Sequence, residues 1–366
     1  MNLSIIILAA GQGKRMRSDL PKVLHPLAGR PLIQHAIETA RGFDGAILHV
    51  VIGHGAERVR AACDDAGVAW VTQAEQLGTG HAVAQVLPAV PDNHTVLVMY
   101  GDVPLISPAT LEKLQVIAAR DELAILTAVL DDPGGYGRIL RDSRNRVTGI
   151  VEHRDASEDE CRICEINSGF IAAPAGRLRG WVDALESDNA QGEYYLTDVI
   201  ALAVADGVAV TAVTTDDEHE ILGVNDRVQL AELERCYQMC QATVCMQSGV
   251  TLLDPGRFDL RGQLTTGRDT EIDVNVVLEG QVSLGDRVSI GPNVVLRNVT
   301  VGNDVAILAN SIIEDADIGN GARIGPFSRI RPETRLAENT HIGNFVEVKK
   351  SDIGAGSKIN HLSYIG

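Results

Sequence analysis

No apolar run among the 366 residues approaches the length of about 20 residues needed to cross a bilayer. The first such run, Ser4 to Leu8, has no positively charged leader ahead of it, so the expected location is the cytoplasm and no membrane insertion is expected. An excess of basic charge is missing as well. Lys and Arg number 32 against 49 Asp and Glu, a net charge of −17, which opposes attraction to nucleic acid or an anionic membrane but leaves room for local basic clefts. The six cysteines, Cys63, Cys161, Cys164, Cys236, Cys240 and Cys245, lack the paired clusters of a structural zinc site. Cys161-x-x-Cys164 has no second Cys/His pair at ligand spacing and follows the acidic run Glu158-Asp159-Glu160, so it reads as two reduced thiols.

Two familiar phosphate signatures are absent too. A dinucleotide fingerprint needs a small residue three places after its second glycine, where this chain has Met16 after Gly13; a Walker A loop needs Gly-Lys-Ser/Thr, where Gly13-Lys14 is followed by Arg15. What is present is the β-branched run Ser4-Ile5-Ile6-Ile7-Leu8, suited to a buried parallel strand, emptying into Ala9-Ala10-Gly11-Gln12-Gly13-Lys14-Arg15-Met16. Glycines at 11 and 13 remove the Cβ atoms that would keep a ligand off the backbone, so N–H groups can converge on phosphate oxygens while Lys14 and Arg15 supply charge. Alone, this could equally be a glycine turn with two solvated cations. Lys22, stiffened by Pro21 in Leu20-Pro21-Lys22-Val23-Leu24, adds another cation near the same strand end.

Apolar residues make up 45% of the chain, enough to bury substantial cores, and the length suits two or three domains. Up to about Ala212, strand-like runs such as 46–51, 96–99 and 123–128 alternate with helical stretches such as 56–66 and 108–119. That alternation predicts a largely parallel α/β sheet with ligands at the carboxyl ends of its strands. Asp102 directly follows the run Val96-Leu97-Val98-Met99, at the same sheet edge as the glycine loop, where a carboxylate can hold Mg²⁺ or simply cap a turn before Pro104.

Leu8-Ala9-Ala10-Gly11-x-Gly13-x-Arg15-Met16 followed by Leu20-Pro21-Lys22 resembles the opening of the sugar-nucleotide pyrophosphorylases, which join a nucleoside triphosphate to a sugar 1-phosphate. Four further segments narrow the resemblance: Gln73-Ala74-Glu75-Gln76-Leu77-Gly78-Thr79-Gly80-His81, Tyr100-Gly101-Asp102-Val103-Pro104-Leu105, Gly135-Tyr136-Gly137-Arg138-Ile139 and Gln191-Gly192-Glu193-Tyr194-Tyr195. They are similar to the bacterial family that combines an N-acetylglucosamine-1-phosphate uridyltransferase with a glucosamine-1-phosphate acetyltransferase, and the similarity runs from end to end. The resemblance implies a Rossmann-like nucleotidyltransferase domain over 1–226 that makes UDP-N-acetylglucosamine, a cell-envelope precursor, from UTP and N-acetylglucosamine 1-phosphate. It implies catalytic roles for Arg15, Lys22 and Asp102, and Mg²⁺ on Asp102 and Asn225. The implied nucleotide-sugar site comprises Leu8, Ala9, Ala10, Gly11, Gly13, Lys22, Gln73, Gly78, Thr79, Tyr100, Gly101, Asp102, Gly137, Glu152, Asn167 and Asn225. Within it Gln73, Gly78 and Thr79 would recognise uracil, while Gly137, Glu152 and Asn167 would line the sugar. An amide can donate to and accept from a pyrimidine edge and a carboxylate can accept from sugar hydroxyls, although by spacing each is equally an exposed loop residue. Asn225 also fits the N-cap of the next helix. Lys14 stands where the family often has threonine, and residues 155–160 read as a solvated loop.

Residues 226–247 contain no glycine or proline, and Leu230, Leu233, Tyr237 and Cys240 recur at helical spacing, which predicts a linker helix over 227–247 packed by that stripe. After Gly249 the period changes. Leu278, Leu284, Ile290, Leu296, Val301, Ile307, Ile313, Ile318, Ile324, Ile330, Leu336, Ile342, Val348, Ile353, Ile359 and Ile365 are separated by twelve intervals of six and three of five. Glycine often follows, as at Gly285, Gly302 and Gly319. Hexapeptide repetition of this kind predicts a parallel β-helix over 248–366, with aliphatics inward and small residues turning the corners. A purely structural stalk would show the same pattern.

The stalk reading does not account for Arg331, Lys349, Lys350 and the segment His361-Leu362-Ser363-Tyr364. By resemblance the prism is left-handed and trimerises; His361 is the base in acetyl transfer from acetyl-CoA, and Arg331, Lys349 and Tyr364 hold the phosphate of glucosamine 1-phosphate. An imidazole can accept a proton near neutral pH. The chain ends two residues past Tyr364 while the family continues, so impaired acetylation is expected. Two alternatives remain at this point, uridylylation of another sugar 1-phosphate and a nonenzymatic nucleotide-sugar sensor.

Overall fold

The computed structural model describes residues 2–63 and 67–366, so the last three residues of the expected helix 56–66 lie outside the described residues. The chain forms two compact units, Met1–Pro26 with Arg30–Leu230 and Leu27–Gly29 with Ala231–Gly366.

The first unit is built on a nine-stranded sheet. Leu3–Ala9, buried at every position, runs parallel between Ile47–Ile52 and Thr95–Tyr100. Alternate side chains of this strand feed two different cores. Leu3, Ile5, Ile7 and Ala9 meet the helices Leu32–Arg41, Ala56–Ala62 and Pro108–Ala118 on one face, while Ile6 and Leu8 meet Thr79–Val86, Ala175–Asp183 and Val199–Ala205 on the other. A strand covered on both faces must be apolar throughout, which explains the unbroken Ile-Ile-Ile-Leu run. The strand order Val210–Thr214, Leu123–Val129, Glu165–Pro174, Thr95–Tyr100, Leu3–Ala9, Ile47–Ile52, Val68–Thr72 includes one antiparallel member, Glu165–Pro174, which carries the hairpin Gly137–Arg141 and Val147–Val151. The register pairs Leu8 with Tyr100, so the glycine loop and Asp102 leave the sheet at one edge.

The helix Arg227–Gln247 has 21 residues, and its buried members are Leu233, Gln238, Ala242 and Cys245. The expected stripe is therefore shifted: Leu233 holds its place, but Cys240 is exposed and Leu230 and Tyr237 are half-buried. A polar side chain takes a core position because Gln238 satisfies one residue's backbone completely, accepting from Leu260 N–H at 2.7 Å and donating to Leu260 C=O at 3.1 Å.

Beyond Thr251 the chain coils into a parallel β-helix whose successive turns pair at offsets such as Leu260 with Leu278 and Ile313 with Ile330. The repeated aliphatics from Leu278 to Val348 are buried, and Ile353, Ile359 and Ile365 are partly buried against the same core. The corners are turned by three columns of left-handed residues, most of them the small Gly, Asn and Asp but with large side chains among them: Asp269, Arg287, Asp304, Gly321, Asn339 and Gly356; Asn275, Asn293, Asn310, Phe327, Phe345 and Leu362; Gly280, Asn298, Asp315, Glu333 and Lys350. Asn and Asp tolerate this conformation through their short polar side chains, and Asn275, Asn293 and Asn310 stack by amide bonds of 3.0 and 3.2 Å. The repeat glycines serve the stacking instead. A Cβ on Gly285 would lie 2.4 Å from Asn303 Oδ1, a position the next turn needs.

Candidate active site

The glycine loop closes as a 3₁₀ turn, Lys14–Met16, with Gly13 at φ +61° and the Met16 side chain buried as its anchor. A Cβ on Gly11 would meet nothing within 4 Å, so its bare side faces open space; a Cβ on Gly13 would stand 2.7 Å from Lys22 Cβ. The Lys22 ammonium ion-pairs with Asp102 and donates to Asn225 Oδ1 at 3.2 Å. The Asp102 carboxylate is thus engaged by Lys22, and among the described residues it accepts no turn-capping bond. Nor does Asn225 cap its helix. Asp226 does, accepting from Val228 and Gln229 N–H at 2.9 Å each, while Asn225 N–H donates to Gln229 Oε1 at 2.8 Å.

A carboxylate and an amide oxygen, both hard donors, already converge on a positive charge here, so the set fits a divalent cation of the magnesium type. Among the described residues no three His, Cys, Asp or Glu side chains cluster as a metal cage. A cation held by Asp102 and Asn225 would complete its shell with water and phosphate oxygens.

These groups open onto a cavity of about 680 Å³. Of the residues anticipated from sequence, Leu8, Ala9, Ala10, Gly11, Gly13, Arg15, Lys22, Gln73, Gly78, Thr79, Tyr100, Asp102 and Asn225 line it. Gly101, Gly137, Glu152 and Asn167 do not. Asn167 pairs with Gly137 across two strands, and a Cβ on Gly137 would sit 3.5 Å from both Glu152 carboxylate oxygens, so these three form a group of their own. Tyr100 connects the two groups electrically. Burial, followed by the charges of Asp102 and Glu152, raises its phenol pKa, which keeps it a neutral hydrogen-bonding group. Burial also raises the Glu152 pKa against the Thr197 hydroxyl, which donates to it at 3.1 Å; Asp198 and Asp155 add to the rise. Asp198 is likewise raised, first by burial and then by Asp155.

Gln73 is 3% exposed, and its amide donates to Gly78 C=O at 3.0 Å and meets His81 Nδ1 at 3.1 Å. Lys14, expected to supply charge at the loop, lines the cavity too, and sequence reasoning assigned no role to four further lining residues, Gln12, Gln76, Gln191 and Glu193. The last two belong to the Gln191–Tyr195 motif, whose role is now visible. Tyr194 exchanges backbone bonds of 2.8 Å with Leu77 and Gly80, and Asp155 accepts from Ala190 N–H at 3.1 Å. This strap explains Gly78, where a Cβ would come 2.6 Å from Tyr194 O, and shows that Asp155 is more than part of a solvated loop. The motif itself was the signal. Cys161 and Cys164 are unbridged thiols, and no helix among the described residues is long and apolar enough to cross a membrane.

In the second unit, Arg261, Glu279, Arg297 and Glu314 stack as one column of alternating charge, joined by ion pairs of 3.2 Å from Arg261 to Glu279 and 3.0 Å from Arg297 to Glu314. Arg331 continues the alternation on the next turn, and Lys349 then ends it. Register places Arg331 and Lys349 on successive turns, Arg331 meeting Glu347 at 2.8 Å and Lys349 lying exposed. His361 and Tyr364, both exposed, lie on strands either side of the Leu362 corner. No hydrogen bond or ion pair among the described residues joins His361 to Arg331 or Lys349. Beside them a cavity of about 390 Å³ is lined by Phe327, Phe345, Leu362, Tyr364, Arg329 and Glu347.

A glycine loop at the edge of a mostly parallel sheet, facing an acid and an amide that share the Lys22 ammonium, is an arrangement that suits a nucleotidyltransferase; here it is fused to a hexapeptide β-helix. Residues 5–163 match the MobA-like NTP transferase domain family, and residues 260–363 match the GMPPB C-terminal domain. The chain is 56% identical over 364 residues to the Bifunctional protein GlmU of Alkalilimnicola ehrlichii, covering 100% of this chain and 78% of that protein. It is 54% identical to the Bifunctional protein GlmU of Marinobacter nauticus over 364 residues, covering 100% of this chain and 80% of that one. A solved UDP-glucose pyrophosphorylase complexed with UDP-glucose shares the fold, with a TM-score of 0.52 at 17% identity over 65% of this chain and 98% of that one. The chain belongs to the GlmU family of bifunctional proteins. It is of the enzyme type that fuses a uridyltransferase to an acetyltransferase domain and synthesises UDP-N-acetylglucosamine.

Proposed function

We propose that the first unit's cavity binds UTP and N-acetylglucosamine 1-phosphate, and that an oxygen of the sugar phosphate attacks the α-phosphorus in line. The bond to the β-phosphate oxygen breaks and pyrophosphate leaves. The observation that carries this reading is the convergence of Lys22, Asp102 and Asn225 beside the glycine loop. Loop N–H groups with Lys14 and Arg15 hold the triphosphate, Lys22 offsets the negative charge of the transition state, and Gln73 with Gly78 and Thr79 reads the uracil edge. The sugar is received outside the cavity lining proper, by the separate group of Glu152, Asn167 and Gly137, which Tyr100 links to the cavity. When bound, Mg²⁺ on Asp102 and Asn225 supplies charge neutralisation to the phosphoryl oxygens.

We assign these tasks to residues 1–226, with 227–247 as the linker and 248–366 as the acetyltransferase part, acting in the cytoplasm where UTP and acetyl-CoA are available. The stacked cations Arg331 and Lys349, with Tyr364, bind the phosphate of glucosamine 1-phosphate, and His361 takes the amine proton as it attacks acetyl-CoA. The column Phe327, Phe345 and Leu362 supports a homotrimer. Its aromatic members are 51% and 55% exposed and stack at 5.3 Å, an apolar edge suited to a second copy.

The test is pyrophosphate release from UTP with a panel of sugar 1-phosphates, using wild type and Asp102→Ala. Loss of nearly all turnover in the variant with the fold intact, and preference for N-acetylglucosamine 1-phosphate, is the expected result. Preference for glucose 1-phosphate would redirect the substrate assignment, and tight UTP binding without turnover would reduce the site to a sensor.

A further inference from the structure

The two oxygen donors assigned to a divalent cation are held by a side chain of the chain itself. Lys22 ion-pairs with Asp102 and also reaches Asn225 Oδ1 at 3.2 Å; the lysine and aspartate side chains are only 14% and 17% exposed. In so sheltered a place the attraction is stronger than between surface charges, and an ammonium and a metal ion cannot share one carboxylate without repelling each other.

The donors do not depend on the lysine for their position. Asn225 N–H is bonded to Gln229 Oε1 at 2.8 Å, and Val224 N–H donates to Asp102 C=O at 2.9 Å, so the backbone beside both donors is fixed from behind. The lysine, by contrast, has an anchored base and a long, flexible stem. Pro21 precedes it and the buried Val23 and Leu24 follow it, while its four-carbon stem starts against the phosphate loop in the space left by the Cβ that Gly13 lacks. Rotation of that stem, with no movement of backbone, can redirect the ammonium from Asp102 toward a phosphate in the cavity that Lys22 lines.

We propose that Lys22 is a built-in placeholder for the metal. Before nucleotide arrives its ammonium neutralises Asp102 and competes with a divalent cation; the nucleotide phosphates then draw it away, so nucleotide and cation bind cooperatively. This inference rests on the assignment of Asp102 and Asn225 as metal ligands.

The experiment measures Mn²⁺ binding to the full chain by the paramagnetic resonance of free Mn²⁺. Wild type, Lys22→Met, Asp102→Asn and the double variant are compared without nucleotide, and wild type and Asp102→Asn are also compared with UTP present. Lys22→Met is expected to bind Mn²⁺ about 5- to 150-fold more tightly than wild type, the usual span of coupling between two sites, and the double variant is expected to lose that gain. Lys22→Gln repeats the measurement if the methionine variant fails to fold, as judged by circular dichroism. If neither lysine variant gains affinity while Asp102→Asn still weakens Mn²⁺ binding in the presence of UTP, the placeholder is wrong and the metal assignment stands. If Asp102→Asn leaves Mn²⁺ binding with UTP unchanged, the metal assignment itself fails and takes the placeholder with it.

Discussion

Gly13 and Lys22 approach so closely that a Cβ on the glycine would lie 2.7 Å from the Cβ of the lysine. Gly13 also sits at φ +61°, a conformation that costs other residues about 1–3 kcal/mol. Gly13→Ala should therefore displace either the loop or the lysine stem. UTP affinity is expected to fall at least tenfold, about 1.4 kcal/mol, with little change in thermal unfolding of the β-helix. Calorimetric titration with UTP checks this, and unaltered affinity would show that the loop can rearrange freely.

Glu152 offers a pH test. Burial holds its folded-state pKa above the ordinary 4.5, so the folded protein keeps this proton to higher pH than the unfolded chain does. The stabilisation from that proton is complete below the unfolded value and is lost as pH rises through the folded one, leaving a buried carboxylate as a cost at neutral pH. Glu152→Gln should raise the melting temperature at pH 7.5, and the gain should shrink toward pH 4. Its amide oxygen can still accept from Thr197, but sugar affinity should fall because a charged acceptor is gone. Melting curves across that range decide it; a gain that is independent of pH would put the cause elsewhere.

Lys349 breaks an otherwise alternating charge column. Lys349→Glu would continue the pattern past Arg331 and is expected to leave stability unchanged or improved by about 0.2–1 kcal/mol, as for exposed ion pairs. The same change should abolish the slow acetylation of glucosamine 1-phosphate expected of this chain while uridyl transfer continues. Release of CoA measured beside pyrophosphate release separates the outcomes, and retained acetylation would remove Lys349 from the phosphate site.

Phe327 and Phe345 occupy left-handed corners where Asn275, Asn293 and Asn310 stand on earlier turns. Asparagine is tolerated there better than a bulky aromatic. The double change Phe327→Asn/Phe345→Asn should therefore preserve the β-helix while weakening self-association. Light scattering at micromolar concentration tests this, and a trimer of undiminished stability would place the interface on another face.

Much of this protein is legible in its residues because the deciding physics is local and periodic. A strand buried on both faces needs the unbroken apolar run Ile5 to Leu8, and stacked coils need an aliphatic at every fifth or sixth place, so sheet and β-helix are both visible without coordinates. Periodicity was weaker where polar groups enter a core: the linker stripe shifted because Gln238 can satisfy the Leu260 backbone, a partner 22 residues away. That some corners carry large residues was likewise hidden, since left-handed geometry is imposed by the coil and accepted by Arg287 or Phe345 as well as by asparagine. The direct contact of Lys22 with Asp102 and Asn225, across 80 and 203 residues, and the return of Gln191 and Glu193 over the cavity belong to tertiary structure alone. Residue type and spacing determine which groups can bind phosphate or a cation; only the closing of the sheet edge, with the burial that strengthens each charge there, decides which of them meet.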